Sequence, residues 1–262
     1  MSERLKPVRL PDFAEKKRRG EKIAVLTAYD ATMARLIDRA GVDAILVGDS
    51  LGMVVMGGET TLEVTMDIMV HHSRAVANAT KHAMVLADMP FLSYQASVSD
   101  AVRNAGRLLQ EGRATAVKLE GGRAMAETVH RLVEVGIPVM GHLGLTPQSF
   151  HRFGGNRKRP MSEAEHILED AKELEQAGAF GIVLEMIPAE AAKAVTESIS
   201  IPTIGIGAGP HCDGQVLVSY DALGLFTEFV PSFVKRYAEL GDAVMKAVGE
   251  YVAEVRDGRF PK

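Results

Sequence analysis

Eight short apolar runs, most of them followed by a segment with helical spacing, constrain the fold of this chain more than any other feature. Each run is too short for a helix and rich in branched residues, which is typical of strands buried on both faces. The runs lie at residues 22–28, 44–47, 84–88, 115–120, 138–142, 180–185, 202–205 and 215–219. Because strands that alternate with helices form a parallel sheet, the sequence predicts an α/β fold, a (β/α)8 TIM barrel.

Local signals predict where several helices and loops begin. Asp12 is expected to cap a short helix before the first strand, and Ser99 to cap the helix after the third strand. The sequence SEAE at 162–165 has the spacing of a capping box. A Gly- and Met-rich segment at 52–58 predicts a mobile loop or an extra hairpin, and a final amphipathic helix is expected over residues 232–255.

The length of the chain fits a single barrel domain over residues 1–262, with a short N-terminal helix and a C-terminal helical extension. The alternative is an open doubly wound sheet, in which the GIGAG sequence at 205–209 would bind a dinucleotide. That motif has the wrong spacing for a dinucleotide fingerprint and lies late in the chain. We therefore reject the doubly wound sheet.

Charge and composition argue against several classes of protein. The net charge of -4 gives no electrostatic support for a general nucleic-acid or anionic-membrane partner. No apolar run approaches the roughly 18 residues needed to span a bilayer, and the N-terminus lacks the apolar core of a signal peptide, so we expect a cytoplasmic protein. The single cysteine, Cys212, excludes an internal disulfide and a cysteine-built zinc site.

Five of the predicted strands run directly into an ionisable residue. These residues are Asp49, Asp88, Glu120, His142 and Glu185. One isolated Asp would be interpreted as a turn or helix cap, but five such strand ends are hard to explain as unrelated caps. The carboxyl ends of barrel strands converge on one face, where the active sites of barrel enzymes lie. The pattern therefore predicts one site at that rim.

Asp49, Asp88 and Glu120 follow three adjacent strands and offer oxygen ligands alone. Oxygen donors without cysteine select a hard cation such as Mg²⁺, which takes a few carboxylates and keeps water and substrate in its shell. The alternative is that each carboxylate pairs with an arginine or lysine. The strand-end pattern favours the cation.

Lys118, His142 and Glu185 indicate acid–base chemistry on an anionic substrate. Lys118 lies two residues before Glu120 and therefore faces the same side of the strand, where a buried lysine needs an anion such as a substrate carboxylate or enolate. His142 either packs in the core or hydrogen-bonds the substrate. The apolar neighbours of Glu185 would raise its pKa toward a value useful for proton abstraction. Together with a chelating cation, these groups suit the conversion of a 2-oxo acid into its enolate.

Five motifs occur in a fixed order along the chain: VGDSLGM at 47–53, ADMPF at 87–91, VKLEGG at 117–122, GHLGLTPQ at 141–148 and GIGAG at 205–209. With the closing sequence EVRDGRFP at 254–261, they resemble the ketopantoate hydroxymethyltransferase family over nearly the whole chain. This resemblance implies a barrel of the phosphoenolpyruvate/pyruvate type. It also implies transfer of a one-carbon unit from 5,10-methylenetetrahydrofolate to 3-methyl-2-oxobutanoate, which gives 2-dehydropantoate in pantothenate synthesis.

The resemblance further implies roles for the matching residues. Asp49 and Asp88 would hold Mg²⁺ and the chelated oxo acid, and Glu120 would be a further metal-side carboxylate, direct or through water. The substrate would also be bound by Ser50 and Lys118. The same resemblance implies a cytoplasmic homodecamer.

By the same resemblance, Glu185 would be the base that removes the C3 proton of the oxo acid, with His142 as a supporting polar group. One departure concerns the loop after residue 155, where the family usually has YKVQG and this chain has NRKRP at 156–160. The departure bears on contacts with pterin or folate rather than on the enolisation site.

Two alternative functions remain open at this point. The first is another Mg²⁺-dependent barrel acting on 2-oxo acids, such as a C–C lyase or a mutase, although a lyase of that type would need a cysteine after the fourth strand and residues 121–128 contain none. The second is a non-catalytic barrel that binds a metabolite or partner.

Overall fold

Eight strands form a closed barrel in the computed structural model, which describes residues 6–155, 159–228 and 231–261. In chain order they are β1 (Ile23–Thr27), β2 (Ala44–Val47), β3 (Met84–Asp88), β4 (Ala116–Glu120), β5 (Val139–Gly144), β6 (Gly181–Glu185), β7 (Thr203–Ile206) and β8 (Gly214–Leu217). Each strand from β1 to β7 pairs in parallel with the next strand along the chain. The predicted (β/α)8 barrel is therefore confirmed.

Helices connect most of the strands. They are α1 (Leu10–Arg19), α2 (Ala31–Ala40), α3 (Leu51–Val54), α4 (Met66–Ala79), α5 (Val98–Gln110), α6 (Ala126–Glu134), α7 (Phe150–Phe153), α8 (Ala164–Gln176), α9 (Ala189–Ser198), α10 (Ser219–Ala222) and α11 (Leu240–Arg256). The helix ends follow known signals: Asp30 accepts hydrogen bonds from the first turn of α2, and Gly41 ends that helix with a φ of 89°.

Alternate residues of the strands fill the barrel interior. They form one buried apolar cluster made of Ile23, Val25, Ala44, Leu46, Met84, Leu86, Ala116, Met140, Val183, Ile204 and Val216. Phe13 of α1 joins this cluster and packs edge-on against Phe180, just before β6, with ring centroids 5.8 Å apart. Helix α1 therefore covers the amino ends of the strands and leaves the carboxyl ends for a site.

Two predictions of helix caps in the N-terminal half were wrong. The cap of α1 is Arg9, and Asp12 lies inside the helix, where its carboxylate accepts the Arg9 N–H at 2.7 Å. The cap of α5 is Ser97 rather than Ser99, because Ser97 lies three residues before Asp100 and its hydroxyl accepts the Asp100 N–H at 3.0 Å.

Of the two alternatives predicted for residues 52–58, a mobile loop or an extra hairpin, the structure excludes the hairpin. The segment contains the helical turn α3, and it folds back so that the Gly58 N–H donates to the Gly52 carbonyl at 2.8 Å. Glycine is needed for this close packing, since a Cβ on Gly52 would lie 2.8 Å from Val64.

Two predictions in the C-terminal half also need correction. Helix α8 has no capping box, because a 3₁₀ turn at Met161–Glu163 leads into it and no side chain caps its first turn. The last helix begins at Leu240, eight residues later than predicted. The N–H groups of Tyr237 and Leu240 donate to the carbonyls of Ala222 and Leu223. The backbone before Leu240 therefore hydrogen-bonds to these residues instead of forming a further turn of the helix.

The chain divides into two compact units, Met1–Val216 and Leu217–Lys262. The single domain over residues 1–262 stays a prediction. Within the described ranges, no helix is long and apolar enough to cross a membrane.

Candidate active site

The alternation that fills the barrel interior also brings the ionisable strand ends to its mouth. Because side chains alternate along a strand, the residues two and four positions after the interior residues of β3 to β6 also face inward, at the carboxyl ends of these strands. They are Asp88, Lys118, Glu120, His142 and Glu185. The parallel register places Asp88 beside Lys118 and Glu120 beside His142. Asp49 follows β2 by two residues. The structure therefore brings together the side chains that the sequence singled out.

Asp49 and Asp88 lie side by side in the buried part of the mouth. The backbone N–H of Asp49 donates to Oδ2 of Asp88 at 3.0 Å, and Oδ1 of Asp88 forms an ion pair with Lys118 Nζ at 2.9 Å. Gly48 leaves room for this arrangement, because a Cβ there would lie 2.8 Å from Ser50 Oγ. Asp88 therefore pairs directly with Lys118, and Asp49 is held beside Asp88 through its backbone N–H.

Lys118 continues this chain of contacts to the opposite side of the mouth. Its Nζ lies 3.3 Å from Nδ1 of His142. Because an ammonium group only donates, Nδ1 must accept, and we assign the imidazole proton to Nε2. Nε2 lies 3.1 Å from Oε2 of Glu185, at an angle outside hydrogen-bond geometry. The proton on Nε2 therefore lies near Glu185 but forms no hydrogen bond with it.

Gln148 is buried among these groups and connects two of the carboxylates. Its Nε2 donates to Asp49 Oδ2 at 2.8 Å and to the Met89 carbonyl at 2.9 Å. Its backbone N–H donates to Glu120 Oε2 at 3.1 Å. Gln148 follows β5 in a 3₁₀ turn, Pro147–Ser149, which aims it back into the mouth.

Tyr94 and Gln95 fix the orientation of the Gln148 amide. The Tyr94 hydroxyl and the Gln95 amide nitrogen lie 2.9 Å and 3.0 Å from Gln148 Oε1. The same hydroxyl accepts the Glu120 N–H at 3.0 Å. Both hydrogens and both lone pairs of the Gln148 amide are therefore satisfied, and such a network is rigid.

Ser50, the remaining predicted substrate contact, lies next to Asp49 at the same rim. Its Oγ is 2.9 Å from the hydroxyl of Tyr29, which is buried after β1. The hydroxyl of Ser50 is therefore oriented by a neighbouring strand end. Nothing among the described contacts gives Ser50 an acid–base partner of its own.

Two carboxyl groups of the mouth, those of Asp49 and Glu120, have raised pKa values. Burial, followed by the nearby charge of Asp88, raises the pKa of Asp49 to about 7. Burial and the charge of Asp49 likewise raise the pKa of Glu120 well above its usual value. The mouth has four acidic side chains, those of Asp49, Asp88, Glu120 and Glu185, but in the part of the chain that the structure describes the ammonium group of Lys118 is the one cation that faces them. Negative charge is therefore in excess there, which favours the protonated form of Asp49 and Glu120.

The two basic groups shift in opposite directions. Burial alone would lower the pKa of Lys118, but the carboxylates of Asp88 and Asp49 outweigh it and raise the pKa. Burial and the charge of Lys118 lower the pKa of His142. Lys118 therefore carries the positive charge, and His142 is a neutral imidazole at neutral pH.

The donor set fits a hard cation held by few protein ligands. Unbalanced carboxylates with raised pKa values are stabilised by a nearby cation, and oxygen donors suit Mg²⁺. Within the described residues, no three His, Cys, Asp or Glu side chains are grouped so that they could hold a metal ion. The three-carboxylate set of Asp49, Asp88 and Glu120 therefore stays a proposal.

The backbone around Glu185 is unusually crowded. Gly144, its neighbour on β5, has a φ of 96°, and a Cβ there would lie 2.2 Å from the Glu185 carbonyl oxygen. Met186, the next residue, has a φ of 50°, which is uncommon for a residue with a side chain. Hydrogen bonds from Leu145 and Arg159 hold the Glu185 and Met186 carbonyls, each at 2.8 Å. The backbone at Glu185 and Met186 is thus held in place by these hydrogen bonds, although Met186 has an unfavourable conformation.

The roles of Gln148, Tyr94 and Tyr29 were not predicted from the sequence. Gln148 carries one visible signal, since it lies in the polar segment TPQS at 146–149 that follows β5. Tyr94 and Tyr29 carry none, because their hydroxyls act through the tertiary structure. Residues 156–158 of the loop that departs from the family pattern lie outside the described residues.

A closed parallel barrel whose carboxyl-end mouth holds a buried lysine, a neutral histidine and several carboxyl groups defines an enzyme of the (β/α)8-barrel class. The chain belongs to the ketopantoate hydroxymethyltransferase family, whose model matches residues 7–262.

Relatives with high identity support the same family. The chain is 58% identical over 247 residues to the 3-methyl-2-oxobutanoate hydroxymethyltransferase of Syntrophus aciditrophicus (strain SB), covering 94% of this chain and 91% of that protein. It is 56% identical over 262 residues to the enzyme of the same name from Pelobacter propionicus, covering 100% and 97%. The Moorella thermoacetica enzyme of that name is 58% identical over 256 residues, covering 97% and 95%.

Solved structures share the fold at low sequence identity. Phosphonopyruvate hydrolase aligns with a TM-score of 0.64 at 12% identity, covering 96% of this chain and 88% of that one. A 2,3-dimethylmalate lyase of the PEP mutase/isocitrate lyase superfamily aligns with a TM-score of 0.63 at 18% identity, covering 95% and 88%. These likenesses show that the fold is shared, and the phosphoenolpyruvate/pyruvate type of barrel stays a prediction.

Proposed function

We propose that this enzyme transfers a hydroxymethyl group from 5,10-methylenetetrahydrofolate to 3-methyl-2-oxobutanoate and forms 2-dehydropantoate for pantothenate synthesis. The relatives are named 3-methyl-2-oxobutanoate hydroxymethyltransferases, which supports the acceptor and the group transferred. The folate donor rests on the resemblance described above. The donor supplies the CH₂ group and one water supplies the OH of the new CH₂OH group. The second hydrogen of the water and the C3 proton of the oxo acid balance the two N–H bonds gained by the donor, which leaves as tetrahydrofolate.

The observation that carries this proposal is the line of contacts from Asp88 through Lys118 and His142 to Glu185. It places the positive charge of Lys118 one imidazole ring away from a carboxylate that can act as a base. An oxo acid between these ends would meet a cation at its carboxylate and a base at its C3 hydrogen. That separation of roles is what enolisation requires.

Each residue then has a defined part in removing the proton. Glu185 takes the C3 proton, the electrons of the C–H bond move into the C2–C3 bond, and negative charge collects on the C2 oxygen. Lys118 holds the anionic end of the substrate. His142 is neutral and carries its proton on Nε2, so it can donate to a substrate oxygen but does not compete with Glu185 as the base.

A divalent cation fits beside these residues. In the proposed site Asp49 and Asp88 would hold Mg²⁺, with Glu120 as a further ligand, direct or through water. When bound, Mg²⁺ supplies Lewis-acid polarisation of the oxo acid. The raised pKa of Asp49 means that the cation would compete with a proton for this carboxylate.

Further features are proposed on the resemblance and, for the single domain and the location, on the length and the apolar pattern of the sequence. They are Ser50 as a substrate contact, one domain over residues 1–262, a homodecamer and a cytoplasmic location. A lyase of the same barrel type is not favoured, because the only cysteine of the chain is Cys212, which is buried and whose pKa is raised by that burial.

The proposal is tested by product formation from the two substrates. The purified protein is incubated with 3-methyl-2-oxobutanoate and 5,10-methylenetetrahydrofolate, with either Mg²⁺ or EDTA, and 2-dehydropantoate is measured by mass spectrometry. We expect product with Mg²⁺ and a strong loss with EDTA. If the folded protein forms no 2-dehydropantoate in the presence of Mg²⁺, the proposal is contradicted.

A further inference from the structure

A separate cavity of about 570 Å³ opens beside the mouth, between the segments after β4 and β5 and helix α8. This volume lies in the range of small-molecule sites. Of the six ionisable side chains at the mouth, only Glu120 lines it, together with Gln148. The cavity is therefore not the oxo-acid site itself, but its inner end shares two side chains with that site.

The shared side chains determine what an occupant of the cavity would touch. Glu120 and Gln148 are joined by the hydrogen bond from the Gln148 N–H to Glu120 Oε2, and Gln148 contacts Asp49 directly. A ligand that fills the inner end of the cavity therefore lies one residue away from the reacting groups. This is the position that a second substrate needs.

Three arginines line the cavity, but their charges are not equally available. Arg123 pairs with Glu169 and Asp170 at 2.7 Å and 3.3 Å, and Arg159 pairs with Glu163 at 3.0 Å. The third, in α7, is exposed and forms no ion pair with any carboxylate among the described residues. Arg152 is therefore the cation that remains available to an anionic ligand.

Apolar and aromatic side chains form other parts of the wall. Phe91 is 39% exposed although it is large and apolar, and it lines the cavity with Met125 and Phe153. The guanidinium carbons of Arg159 and Arg152 lie 3.8 Å and 5.5 Å from the centre of the Phe153 ring. Such a surface suits a planar ring system, which can stack on aromatic and guanidinium faces.

We propose that this cavity binds the one-carbon donor, with the donor's ring at the Glu120–Gln148 end and its carboxylate tail at Arg152. The inference rests on the proposed function, because that function supplies a donor with both a planar ring and carboxylates. It identifies the cavity as the second-substrate site, and Arg152 as its anion contact.

The test compares Arg152→Ala with Arg152→Lys and with Arg103→Ala. Arg103 is a matched control, because it is an exposed arginine on α5 that pairs with Asp100 at 3.3 Å and does not line the cavity. Tetrahydrofolate binding is measured by titration calorimetry, and KM is measured separately for donor and oxo acid. Hydrogen–deuterium exchange at C3 of the oxo acid, without folate, reports on the other site.

We expect Arg152→Ala to raise the tetrahydrofolate Kd and the donor KM about tenfold, the loss expected for one charge-assisted contact. Arg152→Lys should recover part of the affinity, and Arg103→Ala should match the wild type. The KM for the oxo acid should change by less than about twofold.

Two outcomes would overturn the inference. If Arg152→Ala binds tetrahydrofolate as the wild type does while exchange and transfer proceed, the cavity is not the donor site and the proposed function stands. If the wild type exchanges the C3 hydrogen but binds no tetrahydrofolate, the donor assignment fails. Loss of both exchange and product in the wild type would instead contradict the proposed function.

Discussion

The side-chain amide of Gln148 donates to Oδ2 of Asp49 at 2.8 Å, across 99 residues of sequence. The same residue holds Glu120 through its backbone N–H. Two of the three carboxylates proposed as metal ligands are thus oriented by one neutral residue. Residues that orient metal ligands set the affinity of a site as strongly as many of the ligands do.

Replacing Gln148 by alanine should therefore weaken cation binding. The change removes the hydrogen bond to Asp49 and leaves the Tyr94 hydroxyl with the Glu120 carbonyl as its acceptor, while the backbone contact to Glu120 can persist. We expect the affinity for Mn²⁺, used as a paramagnetic substitute for Mg²⁺, to fall on the order of 10- to 100-fold. Titration followed by electron paramagnetic resonance measures this affinity without relying on turnover.

Gln95→Ala is the matched control for that variant. Gln95 donates to the same Oε1 of Gln148 but contacts no carboxylate in the mouth. Its removal should cost no more than about threefold in Mn²⁺ affinity, since Tyr94 still holds the amide. Equal losses in both variants would show that Gln148 acts through general packing and not through Asp49.

Asp49→Asn should change how stability depends on pH. The pKa of Asp49 is raised to about 7 in the folded protein, so between its unfolded value near 3.8 and about 7 the folded state binds more protons than the unfolded state. The stability contributed by the protonated Asp49 is therefore lost as pH rises through this window. Asparagine cannot ionise, so the variant should gain stability relative to the wild type from pH 5 to pH 8.

The measurement is urea unfolding in EDTA at several pH values. Each pKa unit corresponds to about 1.4 kcal/mol, so the gain should be on the order of a few kcal/mol. The lowered pKa of His142 makes the free energy of unfolding rise with pH below about pH 6.5. This contribution is present in both the variant and the wild type, so it cancels in the difference between them. Parallel stability curves for variant and wild type would contradict the assigned ionisation.

Gly144→Ala should destabilise the protein and disturb Glu185. The new Cβ would lie 2.2 Å from the Glu185 carbonyl oxygen, at a backbone φ of 96° that alanine rarely adopts. We expect a loss of about 2 kcal/mol or more in the free energy of unfolding. Gly106→Ala is the control, because Gly106 lies within α5 and a Cβ there meets nothing within 4 Å. It should stabilise the helix by about 0.5–1 kcal/mol.

The barrel and the residues at its mouth could be predicted from the sequence because one local rule governs both. A strand has a side-chain period of two, so the pattern that buries Met84 and Leu86 also points Asp88 inward. The strand ends were visible as abrupt changes from apolar to ionisable residues. The topology of a parallel barrel then determines that these ends meet.

Other features depend on tertiary contacts that no local pattern encodes. Gln148 has its role because a turn after β5 folds back toward Asp49, and Tyr94 because its hydroxyl reaches the Glu120 backbone. The cap of α5 was misplaced by two residues, because Ser97 and Ser99 both satisfy the compositional rule. Only the distance to Asp100 distinguishes them.

The central claim is that Glu185 removes the C3 proton of an oxo acid bound at the barrel mouth. It is tested most directly by proton NMR of 3-methyl-2-oxobutanoate in D₂O with Mg²⁺ and without folate, comparing wild type with Glu185→Gln. We predict that the wild type exchanges the C3 hydrogen, and that the variant binds the oxo acid but exchanges at least about 100-fold more slowly. Exchange at the wild-type rate in the variant would show that another group is the base.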